Sequence, residues 1–182
     1  MQAYRMITVD IKEDEIVAAL DRLSRAMTDM SPAMAEVADF WSEATQERMR
    51  EGKSPDGAAF APRSQSTLDA YAKRGLTPGP HPLWLSGEMR ESLHSGSGSD
   101  FAEIGSSAIQ AAVMQFGAAQ GAFGARIGRT RPSEKRPQAQ DFFMTIPWGN
   151  IPARPFLGIS QSDRTGIEEI VSEWLERVRD GQ

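Results

Sequence analysis

The stretch NIPARPFLGIS, from Asn150 to Ser160, decides how the last third of this 182-residue chain is built. Pro152 and Pro155 stand three residues apart, a spacing that neither a helix interior nor a central strand tolerates. Because proline restricts its own φ angle, the segment is predicted to be a stiff, extended connector. Arg154, between the two prolines, is then expected to make a bidentate contact with a carboxylate, within or between subunits.

An apolar pair, Phe156 and Leu157, follows the second proline. We expect both side chains to enter the core beneath the helix that comes next. The alternative is a plain strand that leads into that helix without any role in assembly. On either interpretation the segment is structural, because no catalytic group follows from its chemistry.

Three amphipathic helices frame the chain. The apolar residues of the last one, after residue 160, recur at spacings of three and one, as one helical face requires. They are Ile167, Ile170, Val171, Trp174, Leu175 and Val178. Asp163 or Ser160 is expected to cap its N-terminus. Two further helices are predicted at residues 13–30 and 31–50, joined at a corner where Pro32 fits the first helical turn.

Shorter elements lie between these helices. Glycine and proline mark residues 51–63 as a loop, and a short helix is predicted from Ser64 or Ser66 to Gly75. A helical turn and a strand are expected within residues 85–96, and a second strand within 99–107. Residues 108–117 fit either a helical turn or a strand. A first strand is predicted at residues 5–11.

The composition excludes several classes of protein. The net charge of −5 does not favour bulk attraction to nucleic acid or to an anionic membrane. The absence of cysteine excludes a disulfide framework, a thiolate zinc site and a cysteine nucleophile, and it fits assembly in a reducing cytoplasm. Neither a signal peptide nor a membrane span is expected, since no apolar run is long enough for either.

No catalytic or cofactor motif is present. The two histidines, His81 and His94, have no partner at metal-binding spacing, and no GxSxG elbow occurs. The glycines of residues 117–128 lack the ending of a phosphate-binding loop. We therefore predict a protein that is not an enzyme and that has no catalytic residue, cofactor or metal. A small hydrolase remains the least favoured alternative.

Positive charge is concentrated in residues 126–136. This stretch holds five basic residues and one glutamate, although the whole chain is acidic. The basic residues are Arg126, Arg129, Arg131, Lys135 and Arg136. They predict a solvated loop or an arm that docks on an acidic neighbouring subunit. The alternative is contact with DNA phosphates, which would weaken steeply with salt.

The four tryptophans fall into two groups. Trp41 and Trp174 lie on the apolar faces of predicted helices and are expected to be in the core. Trp84 and Trp148 lie beside prolines in irregular segments. Because tryptophan is enriched at interfaces, these two are candidates for subunit contacts. We group with them the residues of the two-proline segment: Pro152, Arg154, Pro155 and Phe156.

Several motifs in order resemble the phage virion morphogenesis, or tail completion, family of tailed bacteriophages and Mu-like prophages. They are GxxPDGxxFxP from Gly52, PLWLSGEMRESL from Pro82, AEIGSS from Ala102, AAVMQFGA from Ala111 and IPARPFLGIS from Ile151. The resemblance covers residues 45–117 and 150–178, and the last motif is the most specific. Phe60 stands where the family commonly has tryptophan, and Met114 where histidine is frequent. Residues 121–149 look like an insertion.

The resemblance implies a non-enzymatic virion protein of the head–tail junction or upper tail, assembled in the host cytoplasm. It implies an α+β fold, with helices packed on a small, mostly antiparallel sheet like that of neck and tail-terminator proteins. It also implies a homo-oligomeric ring, hexameric or dodecameric, that contacts neck and tail-tube proteins. We expect one domain over residues 1–182, with an extended loop or β-hairpin arm at 118–149 and no membrane partner. Non-specific contact of this arm with packaged DNA is the alternative function.

Overall fold

The computed structural model describes residues 13–85, 87–122, 125–129, 141–145 and 150–182. The helices within these ranges are α1 (Glu13–Ala26), α2 (Ser31–Glu51), α3 (Gln65–Lys73), α4 (Glu88–Glu91), α5 (Ala111–Phe116) and α6 (Gln161–Asp180). The strands are β1 (Leu93–Ser97), β2 (Ala102–Ser106), β3 (Ala125–Arg129) and β4 (Asp141–Thr145). The strands form two separate antiparallel pairs, β1 with β2 and β3 with β4. The fold is therefore α+β, which confirms the prediction from the sequence.

The corner between α1 and α2 lies where the sequence predicted it, although α1 ends four residues earlier than expected. Pro32 occupies the first turn of α2, and Gly52 ends that helix in the left-handed conformation. Ser31 does not cap the helix, because its hydroxyl donates to the carboxylate of Asp29. Hydrogen bonds from the Ser31 side chain and backbone hold the pKa of Asp29 below its usual value.

The long helix α2 forms the centre of the packing. It contacts α6 and the β1–β2 hairpin, while α1 packs on α6. Small side chains, Ala33 and Ala38, are buried in α2 beside Val37, and they allow close approach of neighbouring elements. Trp174 of α6 is buried, as predicted for the core. The backbone N–H of Met30 also donates to the carbonyl oxygen of Ser99, at 3.0 Å, which ties the helix corner to the hairpin turn.

A compact hydrophobic cluster joins α2 to the loops and to the two-proline segment. Its buried members are Met49, Phe60, Leu83, Met89 and Phe156. Each comes from a different part of the chain: a helix end, a loop, the residues before α4, α4 itself and the C-terminal connector. The cluster therefore holds together segments that have little regular structure of their own.

The short elements follow the predicted order. The hydroxyl of Ser64 accepts from the backbone N–H of Thr67 and caps α3. The helical turn and two strands predicted between residues 85 and 107 are observed as α4, β1 and β2. The ambiguous stretch 108–117 contains a helix, α5, rather than a strand.

Within the stretch predicted to be an extended loop or a β-hairpin arm, β3 pairs with β4, as in the hairpin alternative; that the stretch is an inserted arm stays a prediction. The two strands run antiparallel, with Ala125 opposite Thr145 and Arg129 opposite Asp141. The β3–β4 pair forms a sheet separate from the β1–β2 pair. The strand predicted at residues 5–11 lies outside the described residues.

Candidate functional site

The two-proline segment, residues 150–160, lies beside the end of α5. Ile151 and Ala118 exchange backbone hydrogen bonds of 2.7 and 2.9 Å. Three residues later, the N–H of Arg154 donates to the carbonyl of Met114 at 2.6 Å. The close approach requires Gly117, which has φ +72°, because a Cβ there would lie 2.7 Å from the Ile151 carbonyl oxygen. The segment, which we call the rib, is thus held beside α5 by backbone hydrogen bonds and is neither a helix nor a central strand, as its prolines predicted; its stiffness stays a prediction.

The side chain of Gln115 fixes the middle of this rib. Its Oε1 accepts hydrogen bonds from the backbone N–H groups of Phe156 and Leu157, both at 3.0 Å. Its Nε2 donates to the Leu157 carbonyl at 2.9 Å. One amide therefore satisfies three backbone groups in a segment that has no strand partner at this point. Phe156, held in this way, points into the core and is fully buried.

Replacing Gln115 with leucine is expected to lower the free energy of unfolding by about 1–3 kcal/mol, because the backbone groups of residues 156–157 lose their partners. Urea denaturation followed by tryptophan fluorescence measures this change. Gln110→Leu is the matched control, since Gln110 at the start of α5 makes no side-chain capping bond. An equal effect of the two substitutions would show that the Gln115 amide does not hold the rib.

Arg154 uses its guanidinium within the chain. Nε donates to the Ala61 carbonyl at 2.7 Å, and Nη2 donates to the Pro62 carbonyl at 2.8 Å. Only 6% of the residue is exposed. The partners are therefore backbone carbonyl oxygens of the loop before α3, rather than the carboxylate that the sequence suggested. This contact joins the rib to that loop.

A second arginine, Arg63, extends the same arrangement. It donates to the carbonyl oxygens of Gly79, at 2.8 Å, and of His81. Burial lowers the pKa of Arg154, and the nearby charge of Arg63 lowers it further. Both guanidinium groups bind carbonyl oxygens, which carry only partial negative charge. The pair therefore fastens three irregular segments to one another.

The C-terminal end of the rib is tied to α2 and α6. The Gly158 carbonyl accepts from Trp41 Nε1 and from Arg48 Nη2, both at 3.0 Å. Arg48 Nη1 also contacts the carboxylate of Asp163 at 2.5 Å, and both side chains are largely buried. Gly158 has φ +153°, and a Cβ there would lie 2.8 Å from Pro55. Its positive φ angle and the contact with Pro55 therefore favour glycine at this position.

A capping box begins α6 at the same place. The Ser160 hydroxyl accepts from the N–H of Asp163 at 3.0 Å, and the Asp163 carboxylate accepts from the N–H of Ser160 at 2.8 Å. The two caps that the sequence offered for this helix therefore act together. The same carboxylate forms the ion pair with Arg48. The start of α6, which directly follows the rib in the chain, is therefore also held to α2.

The structure separates the candidate subunit-interface residues. Pro152 and Pro155 are exposed on the rib, whereas Phe156 and Arg154 are buried with partners in their own chain. Trp84 is half-buried, with the guanidinium of Arg90 5.0 Å from its ring centroid. Trp148 lies outside the described residues. The interface role of these residues stays a prediction.

The basic residues of the arm are placed only in part. Arg126 and Arg129 belong to β3, while Arg131, Lys135 and Arg136 lie outside the described residues. Contact of this stretch with DNA or with a partner protein stays a prediction.

The described part of the chain contains no cluster of three potential metal-ligating side chains. The two histidines lie in different surroundings: His81 is half-buried beside Gly52, and His94 is exposed on β1. None of the helices in the described ranges is long and apolar enough to cross a membrane.

Comparison of the chain with known protein families identifies the family to which it belongs. The model of the phage virion morphogenesis family matches residues 11–176. The chain belongs to that family. The match extends beyond the motifs recognised in the sequence, because it includes α1, most of α2 and the arm. Membership in the family associates the chain with the assembly of phage virions.

A curated relative supports the same assignment. The chain is 28% identical over 172 residues to the putative capsid assembly protein G of Escherichia phage Mu. The similarity covers 94% of this chain and 92% of the Mu protein. No solved structure matches the chain. The likeness to neck and tail-terminator folds therefore stays a prediction.

Two contacts of the site were not predicted from the sequence. Gln115 gave no signal, because a glutamine at the end of a short apolar helix has no pattern that indicates a backbone clamp. The Arg48–Asp163 pair spans 115 positions, so local spacing does not reveal it. The sequence indicated only one part of this arrangement: the spacing of three between Ser160 and Asp163 is typical of a capping box.

Proposed function

We propose that this protein is a structural subunit of the head–tail connector or upper tail of a tailed phage. In this proposal copies of the chain form a ring that joins the tail to the head or caps the tail. The observation that carries the proposal is the family match, which spans nearly the whole chain. The Mu relative, named as a putative capsid assembly protein, supports an assembly role along the same length.

The geometry of the rib supports a subunit of fixed shape. Residues 150–160 run between elements that are far apart in sequence, and Gln115, Arg154 and Arg48 attach them through hydrogen bonds to backbone groups. Such a connector resists bending, because its prolines restrict the backbone and its polar groups have partners. A ring whose subunits must repeat one angle requires this kind of rigidity.

The purified full-length chain is expected to form a closed ring of six copies, with twelve copies as the alternative. Native mass spectrometry counts the copies, and negative-stain electron microscopy shows whether a central opening exists. Phage that lack this protein should accumulate heads and tails that do not join, or tails of irregular length. A chain that stays monomeric at every concentration, while phage that lack it assemble normally, would contradict the proposal.

A further inference from the structure

Arg63 and Arg154 form a pair of positive charges that no carboxylate of the described residues balances. Both guanidinium groups donate to backbone carbonyl oxygens, and neither takes part in an ion pair within these ranges. Burial lowers the pKa of Arg154, and the charge of Arg63 lowers it further, so the two groups lie close enough to repel each other. Carbonyl oxygens carry only partial negative charge, so much of the positive charge stays uncompensated.

Each of the two guanidinium groups also keeps a donor without a good acceptor. Arg63 Nε is buried and has no hydrogen-bond partner among the described residues. The closer of the two acceptors of Arg154 Nη1 is the Pro152 carbonyl oxygen, at 3.4 Å, which is beyond the usual length of such bonds. A buried donor without an acceptor costs free energy, and a bound water or ion is one way in which proteins satisfy it.

Arg48 carries the same kind of unpaired atom in a different electrostatic setting. Its Nε is also buried without a hydrogen-bond partner, but its Nη1 lies 2.5 Å from the carboxylate of Asp163, which supplies a full negative charge. Arg63 and Arg154 receive no such charge from the described residues. A water molecule satisfies a single donor but does not balance two positive charges, whereas an anion does both.

The surroundings of the pair favour an anion and leave it within reach of solvent. Arg63 directly precedes Ser64, which caps α3, and the first turn of that helix contains no acidic residue. The N-terminal end of a helix carries partial positive charge, which adds to that of the arginines. Arg63 itself is only half-buried, and Pro62 and Pro152, whose carbonyl groups contact Arg154, are exposed. The pair therefore lies directly beneath the surface.

We infer that Arg63 and Arg154 together bind a doubly charged oxyanion of the phosphate type. Such an ion balances the two positive charges and supplies acceptors to the two donors that lack them. Guanidinium groups suit this ligand, because their planar forks donate parallel hydrogen bonds to phosphate oxygens. The bound ion fastens the rib to the loop before α3 more firmly than the carbonyl contacts alone. The site does not depend on ring formation, so it stands or falls separately from the proposed function.

Inorganic phosphate is the probe, used at a pH at which most of it is dianionic. Isothermal titration calorimetry of the full-length chain should show saturable binding, measured against sodium chloride of equal ionic strength. The thermal unfolding temperature should rise with phosphate concentration, because the ligand binds the folded state. Arg63→Met should raise the dissociation constant about tenfold or more, since it removes charged hydrogen bonds.

Arg74→Met is the matched control for Arg63→Met. Arg74 is an exposed arginine at the C-terminal end of the same helix, so its loss changes the net charge equally. This variant should bind phosphate like the wild type. It also measures the general stabilisation that phosphate gives to any folded protein through its exclusion from the surface.

Hydrogen exchange of the wild type gives a second measurement that needs no variant, so it decides the question even if Arg63→Met does not fold. Phosphate should slow amide exchange in residues 61–66 and 152–158 and leave exchange in α1 unchanged. The inference is wrong if the wild type responds to phosphate no more than to chloride. It is also wrong if Arg63→Met binds phosphate as tightly as Arg74→Met, or if the protection appears only in other parts of the chain.

Discussion

Replacing Phe156 with alanine is expected to lower the free energy of unfolding by about 3–5 kcal/mol, the usual cost of truncating a fully buried phenylalanine. Phe156 has no exposed surface and lies in the cluster with Met49, Phe60, Leu83 and Met89. Hydrogen bonds of Gln115 to the backbone of residues 156 and 157, and those of Arg154 to Ala61 and Pro62, hold the rib in place around Phe156. The cavity left by the removed ring therefore cannot close easily. Urea denaturation, followed by fluorescence of the native tryptophans, measures the change.

The control for Phe156→Ala comes from the same segment. Ile159, three residues later, is 41% exposed, and Ile159→Ala should cost much less. If the chain forms the proposed ring, Phe156→Ala should weaken assembly only as far as it lowers the folded fraction, because the side chain is internal. If the two substitutions cost the same, Phe156 does not anchor the rib in the core.

The second large effect is expected at Asp163. Replacing it with alanine removes one member of a buried ion pair and leaves the Arg48 guanidinium without its carboxylate, which should cost about 3–5 kcal/mol. The same change removes half of the capping box of α6. The free energy of unfolding should therefore fall, and amide hydrogen exchange should speed up in the first turn of α6.

A double substitution separates the pair from the cap. Arg48→Met combined with Asp163→Ala should recover part of the loss, because no unpaired charge then remains buried. The exposed pair between Glu36 and Arg177, at 2.8 Å, is the control. Glu36→Ala should change stability by about 1 kcal/mol or less, as exposed ion pairs usually do. An Asp163→Ala cost as small as this would mean that the pair is solvated.

Much of the secondary structure could be predicted because its causes are local. Pro32 and Gly52 mark the ends of α2 by their backbone preferences, and the spacing of apolar residues from Ile167 to Val178 predicts α6. The ambiguous stretch 108–117 shows the limit of this approach. The six residues of α5, AAVMQF, have no periodicity that separates a helix from a strand, and only the tertiary structure shows a helix that contacts the rib.

The residues of the two-proline segment divide in the same way. The prolines at 152 and 155 correctly predicted a segment that is neither a helix nor a central strand, since proline restricts the backbone wherever it stands. The partner of Arg154 was not predictable, because a guanidinium donates equally well to a carboxylate or to several carbonyl oxygens. Only the loop that the fold brings to residue 154 selects the carbonyls of Ala61 and Pro62.

Which side of α1 packs on its neighbour is the clearest feature that depends on the tertiary structure. Its apolar periodicity identifies a helix and a stripe, because those follow from a turn of 3.6 residues. Periodicity does not say what covers the stripe. Here Arg22 donates to the carbonyl oxygen of Val178 at the end of α6, whereas Leu20 and Met27 lie exposed. Local preferences are encoded in neighbouring residues, whereas the side of α1 that packs on α6 depends on contacts such as that of Arg22 with Val178, 156 positions away.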